Sequence, residues 1–299
     1  MRHRAEQGSR LHVSHKAPTL PNFLVIGAAK SGTTSLHGYL SQHPQIFMPS
    51  FKSLAYFDPR LRWNLGTDWY KSHFTECRIA NGEASPQYTM APMVPGVPQR
   101  IKSVLGTPKM IYIIRDPVDR ILSDYTEIME QWPSDRTFRA DEIETTWKQS
   151  LLTSRYFFQL SEYLKVFPRE TILVVLLERL NGNPHRVLRE IFRFLEVDEE
   201  FWSHQFDMQM NSGDRKRHFA KWFTIVAPAF LQAQVLKPTW MPWKIRQVLN
   251  WISRKGGRRI LKPSITPEDD SHLQKLLKSD VDALKSLLND ELPEWRPYA

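Results

Sequence analysis

Three stretches of this chain are short and apolar without interruption: Phe23-Leu24-Val25-Ile26-Gly27, Met110-Ile111-Tyr112-Ile113-Ile114 and Ile172-Leu173-Val174-Val175-Leu176-Leu177. A strand with one wet face alternates apolar and polar residues, whereas an unbroken run marks a strand covered on both faces, as in a parallel sheet. Each run leads into a helical pattern. After the first come Leu36, Tyr39 and Leu40, stopped near Pro44; after the second, Val118, Ile121, Leu122, Tyr125, Ile128 and Met129; after the third, a helix from Pro184 through Leu195. One long helix is expected from about Ser150 to Val166, and another from Pro267 with Leu273, Leu277, Val281 and Leu284 on its apolar face. Strands alternating with helices specify an α/β fold, a central parallel sheet flanked by helices.

The chain has 299 residues, of which 41% are hydrophobic, enough to bury a core and too many for a disordered or collagen-like chain. Its one cysteine, Cys77, excludes an internal disulfide framework and a cysteine-based zinc module. No apolar window is long enough to span a bilayer, and the first twenty residues are polar and basic. The expectation is a flexible leader over 1–20, a single domain over 21–299, and a cytoplasmic protein with scope for peripheral membrane contact. The net charge of +9 comes from 41 Lys and Arg against 32 Asp and Glu, and it is concentrated. Residues 211–262 hold 12 basic residues and one acid, Asp214, together with Trp222, Trp240, Trp243 and Trp251. This segment reads as a basic, Trp-rich insertion. Because the rest of the chain is nearly neutral, the charge argues against nucleic acid as a partner of the whole surface.

The first apolar run enters Gly27-Ala28-Ala29-Lys30-Ser31-Gly32-Thr33-Thr34 and then a helix. A buried strand, a glycine-bearing turn and a helix N-terminus together make a phosphate cradle, since successive N–H groups and the positive helix end face the anion. The glycine spacing is that of the nucleotide P-loop, but Thr33 stands where that motif has lysine. The lysine lies inside the loop instead. Lys30 can reach the oxygen of a leaving group as charge builds on it.

With these residues the chain resembles the sulfotransferases that use 3′-phosphoadenosine 5′-phosphosulfate (PAPS), in particular the glycan-type branch that includes heparan sulfate sulfotransferases and many bacterial enzymes. Lys30-Ser31-Gly32-Thr33-Thr34-Ser35 looks like the family's loop for the 5′-phosphosulfate. Further matches run in order along the chain: His43-Pro44, Lys52 with Tyr56-Phe57, Asp68-Trp69-Tyr70, Gly82-Glu83-Ala84-Ser85-Pro86, Tyr112 to Tyr125, Glu178-Arg179-Leu180 and Leu292-Pro293-Glu294-Trp295. The resemblance implies a P-loop kinase-like fold, PAPS as donor, the bisphosphate PAP as product, no metal, and a hydroxyl-bearing glycan, lipid or small molecule as acceptor. It also implies that Arg115 and Ser123 bind the donor's 3′-phosphate. Their placement suits the role, Arg115 ending a buried strand and Ser123 about two turns into the next helix. A pairing of Arg115 with Asp119 is the plain alternative. Asp116 before Pro117 suits a helix N-cap better than a magnesium ligand.

One departure stands out. The family commonly carries Lys-Glu-x-His-Phe-Phe after its second strand, with the Glu as base, and this chain reads Lys52-Ser53-Leu54-Ala55-Tyr56-Phe57. Serine near its free pKa is no base at neutral pH. Glu83, expected in a loop after a short strand, is the first candidate to replace it and Asp58 the second; Lys52 is expected at the acceptor or the transferred group. Within the insertion, Lys255-Gly256-Gly257-Arg258 is a stretched match to a family loop on the 3′-phosphate, which would bring in Arg258. The insertion could equally lie on an anionic membrane, grip an acidic glycan, or form a helical cap. The rival functions are a P-loop kinase or NTPase dependent on magnesium, and a degenerate protein that binds PAP or nucleic acid without catalysis.

Overall fold

The computed structural model of the chain describes residues 19–131, 138–207 and 263–298. Most of the leader and the whole 211–262 insertion, with Arg258, lie outside the described residues. Strand β1, Phe23–Gly27, is the centre of a five-stranded sheet. Its neighbours are β3, Ala80–Ala84, on one side and β4, Lys109–Ile114, on the other; β2, Ile46–Phe47, and β5, Ile172–Leu176, lie outermost. All the pairings are parallel, in the order β2-β3-β1-β4-β5.

Successive strand residues point to opposite faces, so the apolar runs feed two cores. Leu24 and Ile26 of β1 and Met110, Tyr112 and Ile114 of β4 pack with α4, Pro117–Gln131, α6, Tyr156–Leu164, and the C-terminal helix Pro267–Leu288. Phe23 and Val25, with Ile111 and Ile113, face α1, Thr33–Leu40, and α8, Pro184–Phe194. Among the described residues the remaining α-helices are α2, Gly66–Lys71, α3, Val97–Leu105, α5, Lys148–Ser154, and α7, Leu177–Gly182, and the C-terminal helix is called α9. Gly82 of β3 sits opposite Phe23, and a Cβ there would come within 2.3 Å of the phenyl ring. Glycine lets that ring lie flat across β3.

Two expectations need correction. The helix expected from Ser150 to Val166 is two helices, α5 and α6, broken at Arg155 (φ −81°, ψ 81°). Both carboxylate oxygens of Asp280 in α9 accept from the N–H groups of Phe157 and Phe158, at 2.9 Å each, so a helix start is held there from outside. Glu83 lies within β3 and not in a loop after it. Asp116 does cap α4, its Oδ1 accepting from the N–H of Asp119 at 3.0 Å.

The order of strands sets the site. The chain leaves β1 toward β2 and β3 on one side and returns to β4 and β5 on the other. A crevice therefore opens at the carboxyl ends of β1 and β4, where ligands of open parallel sheets bind.

Candidate active site

From Gly27 the chain turns through Ala28 to Gly32 and into α1. Gly32 is left-handed, with φ 89°, and a Cβ on it would stand 2.6 Å from Leu177 Cδ1. The left-handed conformation favours glycine at that point, and a Cβ would in addition push the Leu177 side chain aside. Lys30 is also left-handed, with φ 70°. No side chain caps α1 and its first turn has no acid. Its leading N–H groups therefore form a positive pole with no built-in anion. Ser31 and Thr33 are buried, Ser35 is half-buried and Thr34 is exposed at the helix start.

Three cations surround this pole. Lys30 extends from the loop itself. Lys52, in the segment after β2, donates from Nζ to Thr34 Oγ1 at 2.5 Å and lies 3.4 Å from Thr33 Oγ1. Burial and the neighbouring Lys30 charge lower the Lys52 pKa to about 8, against an opposing pull from Glu127. Arg115 follows β4, and its guanidinium crosses to the loop: one Nη donates to the Lys30 carbonyl at 3.3 Å and the other to Asp119 Oδ2 at 3.3 Å. Its Nε–H is buried without a partner. The anticipated Arg115–Asp119 pair thus exists, but both contacts are long and one donor is idle, so the fork is held loosely.

Helix α4 supplies the wall opposite the loop. Arg120 is buried and donates to Ser154 Oγ at 2.6 Å, to the Ala29 carbonyl at 3.3 Å and to Asp124 Oδ2 at 2.9 Å. Seven residues on, Glu127 Oε2 stands 2.6 Å from Lys30 Nζ. Ser123, half-buried, lies between them on the same face of the helix. Lys30, Lys52 and Arg115, all expected from sequence, are gathered here with Ser123.

Glu83 has a different setting. It is 2% exposed and accepts from Tyr70 OH at 3.1 Å, Ser85 Oγ at 2.6 Å and Tyr88 OH at 2.5 Å. Burial raises its pKa against these three hydrogen bonds. Ser85 Oγ in turn accepts from the Ala55 N–H and Tyr88 OH from the Phe57 N–H. The carboxylate is the hub of a clamp that holds residues 53–57, where Ser53 and Ala55 are left-handed. Closed to solvent and fully engaged, it is not placed to take a proton from an acceptor. Asp58 is equally occupied: it is wholly buried and gripped by Arg60 through Nε at 3.0 Å and Nη2 at 2.8 Å.

Sequence reasoning missed Arg120 and Glu127 as members of the site. Their spacing with Ser123, at steps of three and four, was the available signal.

Residues 20–221 match the sulfotransferase domain. The chain belongs to the sulfotransferase domain family. A crystal structure of a sulfotransferase from Alicyclobacillus acidocaldarius is similar with a TM-score of 0.66 at 26% identity, covering 93% of this chain and 100% of that one. The fold is accordingly the P-loop kinase-like fold of the sulfotransferases. Membrane-associated sulfotransferase kil1 of Dictyostelium discoideum is 42% identical over 118 residues, which are 38% of this chain and 24% of that protein. Heparan sulfate glucosamine 3-O-sulfotransferase 5 of Mus musculus is 29% identical over 201 residues, 63% of this chain and 57% of that protein. The chain thus spans about a quarter of the first of these relatives and just over half of the second.

Proposed function

We propose that this protein is a PAPS-dependent sulfotransferase that sulfates a hydroxyl of a glycan, lipid or small-molecule acceptor. The observation that carries the proposal is the convergence of Lys30, Lys52 and Arg115 on the uncapped start of α1. These residues fit a donor with phosphates at both ends. The loop amides of 30–34 and the Thr33 and Thr34 hydroxyls would take the 5′-phosphosulfate, with Ser31 and Ser35 shaping the turn. Arg115, with its idle Nε–H, and Ser123 would take the 3′-phosphate. The donor supplies the sulfuryl group and departs as PAP. Lys30 neutralises the charge that builds on the departing oxygen, and Lys52 lies beside the transferred group.

Two features weigh against an ATP-dependent rival. Thr33 occupies the place of the P-loop lysine, and Asp116, the acid nearest a magnesium role, is an N-cap that also binds Arg296. The relatives point to glycan hydroxyls as acceptors and to a membrane as a place of work. Contact of residues 211–262 with the cytoplasmic leaflet, where anionic lipids concentrate, is part of the proposal, supported by that segment's lysines, arginines and tryptophans. Among the described residues no helix is long and apolar enough to cross a membrane.

Titration calorimetry with PAP and with ATP, each with and without magnesium, tests the reading. The expected result is PAP binding in the micromolar range without magnesium, weakened at least about tenfold in Lys30→Ala or Arg115→Ala, since each removes a charge-assisted contact. ATP binding that requires magnesium and exceeds PAP binding would replace this reading with a kinase.

A further inference from the structure

A sulfotransferase needs a group to accept the proton of the attacking hydroxyl, and Ser53, Glu83 and Asp58 leave that role vacant. Ser53 has no useful basicity, and Glu83 and Asp58 are closed off. The other acids of this region are bound by partners other than Lys30. Asp116 and Asp119 bind Arg296, Asp124 binds Arg120 and Ser150, and Glu178 binds the Asp116 N–H and Trp295.

Glu127 differs in three respects. Its Oε2 is 2.6 Å from Lys30 Nζ, at the one side chain expected to meet the departing oxygen. Its side chain is 42% exposed where that of Lys30 is 16% exposed, so it stands on the open side of the cradle from which an acceptor would approach. Its negative charge is felt at Lys52 as well as at Lys30.

We propose that Glu127 is the proton acceptor for the hydroxyl that is sulfated. The inference rests on the sulfotransferase reading. As the hydroxyl oxygen bonds to sulfur, its hydrogen passes to the Glu127 carboxylate. The bond between sulfur and the bridging oxygen breaks, and its electron pair stays on the 5′-phosphate oxygen of PAP, beside the Lys30 ammonium. The proton then leaves Glu127 for water on its exposed side. Without donor, Lys30 and Glu127 neutralise each other; a bound phosphosulfate competes for the ammonium and releases the carboxylate as a base.

Glu127→Gln and Glu127→Asp test this with two readouts: PAP binding by calorimetry, and formation of PAP from PAPS with water as the sulfuryl acceptor. Gln keeps the shape and loses the basicity, so PAP formation should fall about 100-fold or more while Asp retains part of the rate. PAP binding should be unweakened or tighter in Gln, because an anion beside the phosphates is gone and Lys30 is freed. PAP formation by Glu127→Gln within about threefold of the unaltered protein would overturn the assignment, and so would loss of PAP binding, which would make Glu127 part of the donor site. If the unaltered protein binds PAP but forms none faster than the Gln variant, the assignment also fails while the donor site stands. Failure of the unaltered protein to bind PAP would remove the sulfotransferase reading and this inference with it.

Discussion

Lys52 is the residue whose chemistry the fold alters most usefully. Its ammonium sits beside another lysine and is largely withdrawn from water, and its pKa drops to about 8 from an ordinary 10.5. A phosphate placed against it would restore the charged form. PAP binding near pH 8.5 should therefore take up a proton, roughly three-quarters of one if the bound lysine is fully charged. The sign follows from the shift: above pH 8 the free protein has lost that proton, so affinity falls as pH rises. The check is the calorimetric enthalpy of PAP binding in buffers of different ionisation enthalpy. It should depend on the buffer at pH 8.5, where the phosphates of PAP are already ionised, and lose that dependence in Lys52→Met. An enthalpy indifferent to buffer at pH 8.5 would remove Lys52 from the donor site. Glu83 shows the opposite outcome of burial. Its three hydroxyl donors hold the left-handed segment beside Lys52 in shape, which is a structural task.

At the scale of elements, the break between α5 and α6 depends on Asp280, far along the chain in α9. Burial raises the Asp280 pKa from 3.8 to about 6, even though it accepts two N–H groups. The folded protein thus holds this proton more tightly than the unfolded chain does. Asp280 favours folding most below about pH 4, and that contribution is lost as pH rises through 6. Asp280→Asn cannot titrate. Compared with the unaltered protein it should gain up to about 3 kcal/mol in relative stability between pH 4 and pH 7, read from urea unfolding at the two pH values. A gap between the two proteins that does not change with pH would contradict the account. The same break marks what sequence could reveal. β1, β4 and β5 were legible because each is an apolar run buried on both faces, and α4 and α9 because caps and periodicity agree. β3 was not, since Asn81 and Glu83 look like loop residues until the fold buries them, the Asn81 N–H donating to Asn22 Oδ1 and the Glu83 carboxylate accepting from Tyr70, Ser85 and Tyr88. Lys30 and Arg115 were legible through the turns that follow strands. Glu127 was not, because its contact with Lys30 spans 97 residues and no local pattern announces it.

The whole molecule enters the site through its C-terminal segment. Arg179 of α7 grips Asp290 with Nη1 at 2.6 Å and Glu294 with Nε at 2.7 Å, and Trp295 Nε1 donates to Glu178 Oε2 at 3.3 Å. These ties lay Arg296 across the start of α4. Its N–H donates to Asp116 Oδ2 at 3.0 Å, its guanidinium also binds Asp116, and one Nη reaches Asp119 Oδ1 at 3.0 Å. Its Nε lies 3.1 Å from Asp270 Oδ1 in α9. Asp119 is therefore shared between Arg296 and the proposed phosphate anchor Arg115. By neutralising Asp116 and Asp119, Arg296 leaves the Arg115 guanidinium free to turn toward an anion. Arg296→Ala would leave two carboxylates uncompensated beside the anchor and draw Arg115 onto Asp119. PAP affinity should fall roughly five- to thirtyfold, and stability by about 1–3 kcal/mol, the usual cost of stripping one partner from a partly buried ion pair. Arg296→Lys should recover part of the affinity, because it restores the charge without the fork. The two effects separate under calorimetry at a temperature where thermal unfolding shows both variants folded. Unchanged PAP affinity in folded Arg296→Ala would confine the C-terminal segment to a structural role and place the phosphate on the far side of Arg115 from Asp119.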